Sequence, residues 1–223
     1  MPRQLVRDFK TCLSFNGTSN KATVAVPSTA IDNITYSLWV KANIVTATER
    51  IVTNGDNTAN GFAPSIAADG TIYTELLGIV NVSTGQKIIP GVWTFLTYTR
   101  TSGVSQMYIN GVAQGITYNN TPIAPTGFLC AGGSVNGSNA GFGSGYAGLI
   151  DDVRIYERPL SATEILNFYY GSEPASTSLK IKWLMDEGSG TSLIDASGNG
   201  NTGTISGATY STDVFMKART VAS

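Results

Sequence analysis

Short stretches of alternating apolar and polar residues recur along this chain, and Gly- and Asn-rich turns separate them. Because successive side chains of a strand point to opposite faces, such alternation predicts strands with one buried face. The pair Asn110-Gly111 is the strongest hairpin signal, and it joins the stretches 105–109 and 112–114. Many short strands at regular spacing predict an all-β protein, a two-sheet antiparallel jelly-roll sandwich.

One short segment has a clear helical pattern, and it follows a β-branched stretch at residues 148–156. Pro159 ends that predicted strand. Ser161 and Glu164 then have the spacing of a capping box, which predicts the start of a helix. Apolar residues follow at positions 165, 166, 168 and 169, and Gly171 suits the helix end. We therefore predict one short helix.

The composition excludes several classes of function. The chain has no histidine, which removes Ser-His-Asp and Cys-His catalysis and the commonest zinc ligand. Its net charge is −1 without a basic stripe, so we expect no nucleic-acid partner. No apolar run approaches the ~20 residues of a membrane helix, and the first residues lack the apolar core of a secretory signal. We expect neither a membrane span nor a signal peptide.

The length of 223 residues suits a single sandwich. We predict an N-terminal arm at residues 1–11, one domain at residues 12–208 and a C-terminal tail at residues 209–223. Cys12 and Cys130 each lie in an apolar strand context, which favours two buried thiols; a disulfide between them is the alternative.

Four segments together resemble the laminin G-like, concanavalin A-like jelly-roll family. They are residues 13–18 (LSFNGT); 93–98 with 107–111 (WTFLTY, MYING); 148–156 with 160–165 (GLIDDVRIY, LSATEI); and 183–190 with 195–201 (WLMDEGSG, DASGNGN). The resemblance covers about residues 12–208, but its order is changed. The family's opening motif lies here at the C-terminus, after the closing motif. The domain is thus either circularly permuted or exchanges its C-terminal strand segment with a neighbouring chain.

Five carboxylates are the candidate metal ligands. They belong to the closing motif and to the displaced opening motif: Asp151, Asp152, Asp186, Glu187 and Asp195. The resemblance implies that these two motifs lie side by side, where like charges need protons or a cation. Calcium takes carboxylate and carbonyl oxygens, so the resemblance implies a structural Ca²⁺. The alternative is that these acids cap turns and pair with Arg154 or Arg158.

Aromatic side chains are the candidate glycan contacts, because ring faces stack on the C–H-rich faces of sugars. Tyr73, Phe142 and Tyr146 lie in or near loops, whereas the three tryptophans lie in alternating strands and are predicted core residues. The alternative for Phe142 and Tyr146 is packing that holds the Gly-rich loop at residues 132–145.

The sequence predicts a protein without enzymatic activity. Glycoside hydrolysis needs two carboxylates on one face, whereas the adjacent Asp151 and Asp152 would point to opposite faces of a strand.

Two functions remain. The first is a structural or adhesive protein of a phage particle, such as a capsid decoration or fibre protein. It would assemble with other subunits as a homo-oligomer and lie on a virion or an extracellular surface. The alternative is a carbohydrate-binding module or lectin of a secreted or cell-surface protein, with glycans as partners.

Overall fold

A computed structural model describes residues 10–43, 45–56 and 60–215. Its elements, in chain order, are β1 (Cys12–Asn16), β2 (Lys21–Ala25), β3 (Ile34–Ala42), β4 (Glu49–Arg50), β5 (Val52–Asn54), β6 (Phe62–Ile66), β7 (Thr71–Leu76), β8 (Val80–Lys87), β9 (Thr94–Thr101), β10 (Val104–Ile109), β11 (Val112–Tyr118), β12 (Phe128–Ala131), β13 (Ser134–Val135), β14 (Phe142–Gly143), β15 (Ala147–Tyr156), α1 (Ala162–Tyr169), β16 (Leu179–Trp183), β17 (Ser192–Leu193), β18 (Gly203–Ser206) and β19 (Thr209–Ser211).

The strands form two antiparallel sheets packed face to face, which confirms the predicted all-β sandwich with one short helix. The first sheet has the order β11-β10-β9-β3-β15-β1-β19, and β16 pairs with β15. The second sheet has the order β17-β18-β2-β12-β5-β6-β7-β8, and β4 pairs with β6. Strands β13 and β14 form a small hairpin of their own.

The main core lies between the inner faces of the two sheets. Strand alternation supplies it with side chains from both, such as Leu38 and Ile150 from the first sheet and Phe62 and Ile205 from the second. Trp183 is fully buried in the same core, as predicted.

Helix α1 covers the outer face of the first sheet, where Trp39, Phe95 and Phe168 pack in a second apolar cluster. Its predicted capping box is present: the Ser161 hydroxyl accepts from the Glu164 N–H, and the Glu164 carboxylate accepts from the Ser161 N–H. Gly171 ends the helix with φ 94°, a conformation that suits glycine. Within the described ranges no helix has the length and apolar content needed to cross a bilayer.

The C-terminal strands complete the sandwich within the same chain. Strand β16 pairs with β15, β18 pairs with β2, and β19 pairs with β1, where Leu13 lies opposite Tyr210. The displaced opening motif therefore closes the sheets that the N-terminal strands begin. The sheet runs through Thr209–Ser211, so the predicted domain boundary at residue 208 falls too early. Residues 1–9 of the predicted arm and 216–223 of the predicted tail lie outside the described residues.

Both cysteines are free, fully buried thiols, which confirms the first interpretation and excludes the disulfide. Cys12 lies in the first sheet and Cys130 in the second. Burial raises the pKa of each thiol to about 12, and the nearby Asp151 carboxylate adds to the rise at Cys12.

We therefore expect both thiols of the folded protein to resist alkylation at pH 8. Roughly one thiol in ten thousand is ionised four pH units below its pKa, and the thiolate is the nucleophile. Peptide mapping after iodoacetamide treatment should find both cysteines unmodified in the folded chain and both alkylated in guanidinium. Rapid modification of either thiol without denaturant would contradict this expectation.

Candidate functional site

The predicted carboxylate Asp152 belongs to a buried ion-pair network. It lies at a bulge in β15 with φ 50°, and its carboxylate binds the Arg154 guanidinium through two contacts of 2.7 and 2.9 Å. Arg154 Nη2 also donates to Glu173 Oε1 at 3.0 Å, and Lys182 Nζ lies 2.7 Å from Glu173 Oε2. Both Asp152 and Arg154 are 1% exposed. These four side chains are called the Arg154 network below.

The charges of this network stabilise one another. Burial alone would lower the pKa of Arg154, but the charge and hydrogen bonds of Asp152 and the bond to Glu173 outweigh it and raise that pKa. Burial likewise opposes ionisation of Glu173, yet the bonds to Arg154 and Lys182 hold the pKa of its carboxyl below the usual value. The guanidinium also lies 4.5 Å from the centre of the Phe168 ring. The network thus joins the bulge, the helix and β16.

The other predicted metal ligands accept hydrogen bonds from the protein itself. Asp151 Oδ1 accepts from the Asp152 N–H, and Asp186 Oδ1 accepts from the N–H groups of residues 10 and 11. Glu187 accepts from the Ile194 N–H and the Tyr210 hydroxyl. Asp195 accepts from three backbone N–H groups, those of residues 182, 197 and 201, which outweigh its burial and lower the pKa of its carboxyl.

Each of these five carboxylates accepts at least one hydrogen bond from a donor of the protein itself. Calcium needs six to eight oxygen ligands. Among the described residues, no group of three or more His, Cys, Asp and Glu side chains could hold a metal ion. The acids cap turns and pair with Arg154, which was the alternative. A structural calcium ion stays a prediction, and melting the protein in calcium and in chelator tests it.

The three predicted glycan contacts differ in exposure. Tyr146 is fully buried, and its hydroxyl donates to the Leu149 carbonyl at 3.3 Å, so the prediction that it contacts a glycan is wrong. Phe142 is half-buried and packs so closely on Gly133 that a Cβ there would lie 2.7 Å from its Cζ. The Phe142 ring packs on this Gly-rich loop, which was the alternative for it, whereas the Tyr146 ring lies in the main core. Tyr73 is half-buried on β7; glycan contact by Tyr73 or Phe142 stays a prediction.

A polar groove lies instead on the outer face of the second sheet, across β18, β2 and β12. Directly opposite residues of an antiparallel pair point to the same side, so the register shows which side chains share this face. Ser206 lies opposite Lys21, Thr204 opposite Thr23, and Phe128 opposite Ala25 at the far end. The residues between them, Ala22, Leu129 and Ile205, point into the core. The alternation of β2 and β18 thus gives the groove a polar floor.

The loop that joins β12 to β15 forms one wall of this groove. It is held over the sheet by a hydrogen bond from the Thr53 hydroxyl to the Gly133 carbonyl at 3.0 Å. Further along the loop, Asn139 accepts from Lys21 Nζ through its backbone carbonyl at 2.9 Å and through Oδ1 at 3.0 Å. Asn139 Nδ2 donates to Thr23 Oγ1 at 3.3 Å. The loop and the floor are therefore joined by hydrogen bonds between side chains.

The groove encloses a volume of about 340 Å³, within the range of small-molecule sites. The described side chains that line it include an ammonium, an amide, hydroxyls and one aromatic ring, and none of them is a carboxylate: Lys21, Thr23, Phe128, Asn139, Thr202, Thr204 and Ser206. Hydroxyls and amides both donate and accept hydrogen bonds, and the half-buried Phe128 offers an apolar surface. Such a lining suits a polyhydroxylated ligand with one apolar face.

The residues of this groove carry no site motif in the sequence. The alternation in residues 22–26 and 204–206 indicates one polar face for each strand. It does not indicate that β2 lies between β18 and β12, nor that Asn139 returns across them.

A family model described as Concanavalin A-like lectin/glucanases superfamily matches residues 16–166, more than half of the chain. Strands β16 to β19 lie outside this range. A comparison with curated protein sequences gives no match.

Solved structures share the architecture. A candidate carbohydrate-binding protein from Bacteroides ovatus is similar over 92% of this chain and 60% of its own length, with 17% identity and a TM-score of 0.72. The heptameric SAP-like pentraxin from Limulus polyphemus matches 89% of this chain and 96% of its own, with 20% identity and a TM-score of 0.65. Domain 4 of AbnA, an extracellular arabinanase from Geobacillus stearothermophilus in complex with arabinotriose, matches 71% and 76%, with 24% identity and a TM-score of 0.54. At these identities the likeness shows a common fold.

Proposed function

The chain belongs to the concanavalin A-like lectin/glucanases superfamily, and from this premise we propose that it is a carbohydrate-binding module without catalytic activity. The observation that carries the proposal is the groove on the outer face of the second sheet. It combines hydroxyl and amide groups in registered rows with the ring of Phe128. The fold is shared with a candidate carbohydrate-binding protein and with an arabinanase domain in complex with arabinotriose, which supports the same function.

The groove recognises a sugar through two kinds of contact. Hydroxyls of Thr23, Thr204 and Ser206 lie on adjacent strands, so they can exchange hydrogen bonds with successive sugar hydroxyls. Phe128 and Lys21 lie at the two ends of the groove. At its own end, the Phe128 ring can stack on the C–H face of a sugar ring. Polar groups thus orient the ligand, while the aromatic ring removes apolar surface from water.

We propose that the protein is not catalytic because of how carboxylates are placed on the outer face of the second sheet. The described residues that line the groove include no carboxylate, whereas glycoside hydrolysis needs two. On the other half of the same sheet, Glu75 is 2% exposed and pairs with Arg50 at 2.9 Å. This ion pair links β7 to β4. We therefore propose that Glu75 has a structural role and is not a general acid for a leaving group.

The comparisons support the alternative from sequence analysis over the particle role. The matched structures include proteins described as binding or degrading carbohydrates. A subunit of a phage particle, the location on a virion and assembly as a homo-oligomer stay predictions. A particle protein that grips glycans would use the same groove, so the binding test below applies to both.

We expect Phe128→Ala to weaken glycan binding roughly fivefold to tenfold, since a stacked aromatic ring contributes about 1 kcal/mol or more. Glycan arrays would identify the ligand and calorimetry would measure the affinities. Tyr170→Ala is the matched control, because this exposed aromatic residue lies beside helix α1 on the opposite sheet. Equal binding by the Phe128 variant and the unchanged protein, or an equal loss in both variants, would place the site elsewhere.

A further inference from the structure

We infer that the groove selects a saccharide that carries a negative charge, and that Lys21 is the residue that recognises this charge. The inference rests on the proposed function and names the class of glycan. It depends on the surroundings of the Lys21 ammonium group, on how that group is held, and on its place relative to Phe128.

Within the part of the chain that the structure describes, the Lys21 ammonium group has neutral partners. Its two hydrogen bonds go to the carbonyl and side-chain oxygens of Asn139, and among the described residues it forms no ion pair. By contrast, Lys41, Lys87, Lys180 and Lys182 each lie within 3.0 Å of a carboxylate oxygen. The half-buried charge in the groove thus differs from these lysines in lacking a protein anion.

An anionic group of a ligand would supply that missing partner. An ammonium group has three donors, and Asn139 accepts from two of them, which leaves one for a ligand. Hydrogen bonds between charged groups are roughly twice as strong as neutral ones. The Ser206 side chain lies opposite Lys21 on β18, so its hydroxyl adds a second donor on the same side.

The ammonium group is also held in place before a ligand arrives. Asn139 binds Lys21 through two oxygens and binds Thr23 through Nδ2, so the lysine ammonium is held by a side chain that is itself bound to the floor. A flexible lysine loses rotamer freedom when it binds an anion, and prior ordering removes part of that cost. The ammonium group can therefore recognise an anionic group at a fixed position, in addition to attracting anions through its charge.

The position of Lys21 relative to Phe128 indicates the length of the ligand. Phe128 lies opposite Ala25, which is four residues from Lys21 on β2, about 13 Å at the usual rise of a strand. A ligand that reaches both ends is longer than one sugar ring. We therefore infer an acidic oligosaccharide or polysaccharide, with its charged group at the Lys21 end.

Matched glycans that differ in charge test this inference. Polygalacturonate presents carboxylates, its fully methyl-esterified form is the neutral counterpart, and heparin presents sulfates as well. We expect the protein to bind at least one acidic probe at least tenfold more tightly than the neutral one, with an affinity that falls as salt rises. The ratio between polygalacturonate and heparin distinguishes carboxylates from sulfates.

Variants then test the residue. Lys21→Gln should weaken binding of the acidic probe about tenfold and weaken neutral binding much less, while Lys21→Arg should retain most of the affinity for the acidic probe. Lys87→Gln is the control, since it removes the same charge from the end of β8. Tighter binding of the neutral glycan, or equal losses in the Lys21 and Lys87 variants, would overturn the inference and leave the proposed function intact. Failure to bind any glycan on an array would overturn both.

Discussion

Asp152→Asn should lower the free energy of unfolding by about 3 kcal/mol, because it leaves the charge of Arg154 buried without its main partner. The guanidinium cannot escape this cost by losing its proton, since arginine stays protonated in proteins. Only Glu173 remains as an anionic partner within the network, and its side chain is 43% exposed. Chemical denaturation followed by circular dichroism would measure the loss.

Asparagine is chosen because it removes the negative charge of residue 152 and keeps its backbone conformation. Asp152 has φ 50°, and asparagine tolerates this left-handed conformation about as well as aspartate. Asp152→Ala should cost about 1 kcal/mol more, because alanine adds strain at the same position. Glu173→Gln is the matched control, and we expect a loss below about 1 kcal/mol, since exposed ion pairs contribute little.

A paired substitution tests whether the loss comes from the unpaired charge. In the variant that combines Asp152→Asn with Arg154→Met, no charge remains buried at this point, and the methionine fills much of the space of the guanidinium. We expect this variant to regain most of the stability that Asp152→Asn loses. If the double variant is less stable than either single one, the charge of Arg154 is not the cause.

A chain that ends after residue 173 should show no cooperative unfolding. The removed segment supplies five core side chains that are 0 to 4% exposed: Ile181, Trp183, Met185, Leu193 and Ile205. At about 1.5–3 kcal/mol for each, their burial contributes roughly 8–15 kcal/mol, comparable to the whole stability of a typical domain. The truncation also removes β16, β18 and β19 from beside β15, β2 and β1. Denaturant titration and calorimetry would show a broad, non-cooperative change.

A rearranged chain is the control for this truncation. Cys12 lies opposite Ser211 in the first sheet, so a short Gly-Ser linker can join residue 213 to residue 10. Opening the chain between residues 174 and 175 then restores the order of motifs found in the family. We expect this variant to unfold cooperatively with a stability within about 2 kcal/mol of the original, because it keeps the same core. A sharp transition in the truncated monomer would contradict the role of the C-terminal strands.

Local patterns were sufficient for most of the secondary structure. The hairpin at Asn110-Gly111 and the capping box of Ser161 and Glu164 depend on backbone conformations and hydrogen bonds within a few residues, so the sequence contains the whole signal. The resemblance to the family likewise required only the motifs themselves. It predicted both the jelly roll and the displaced opening strand.

The tertiary structure decided the features that depend on distant partners. The bulge at Asp152 breaks the simple alternation that would send Asp151 and Asp152 to opposite faces, and it aims the second carboxylate at Arg154. Tyr146 is adjacent to a loop in sequence, yet the sheet buries its ring. Exposure in such a segment depends on what packs over it, which no periodicity encodes.

In the candidate groove, too, the sequence determined the local features and the tertiary structure decided how they come together. The alternating residues of β2 and β18 determined by themselves that each strand would have a polar face. The order of strands in the second sheet decided that these faces adjoin, and the loop decided that Asn139 would meet Lys21, 118 positions earlier in the chain. Strand pairing and loop closure are set by the free energy of the whole core, so a site assembled from three distant segments emerges only when the sandwich forms.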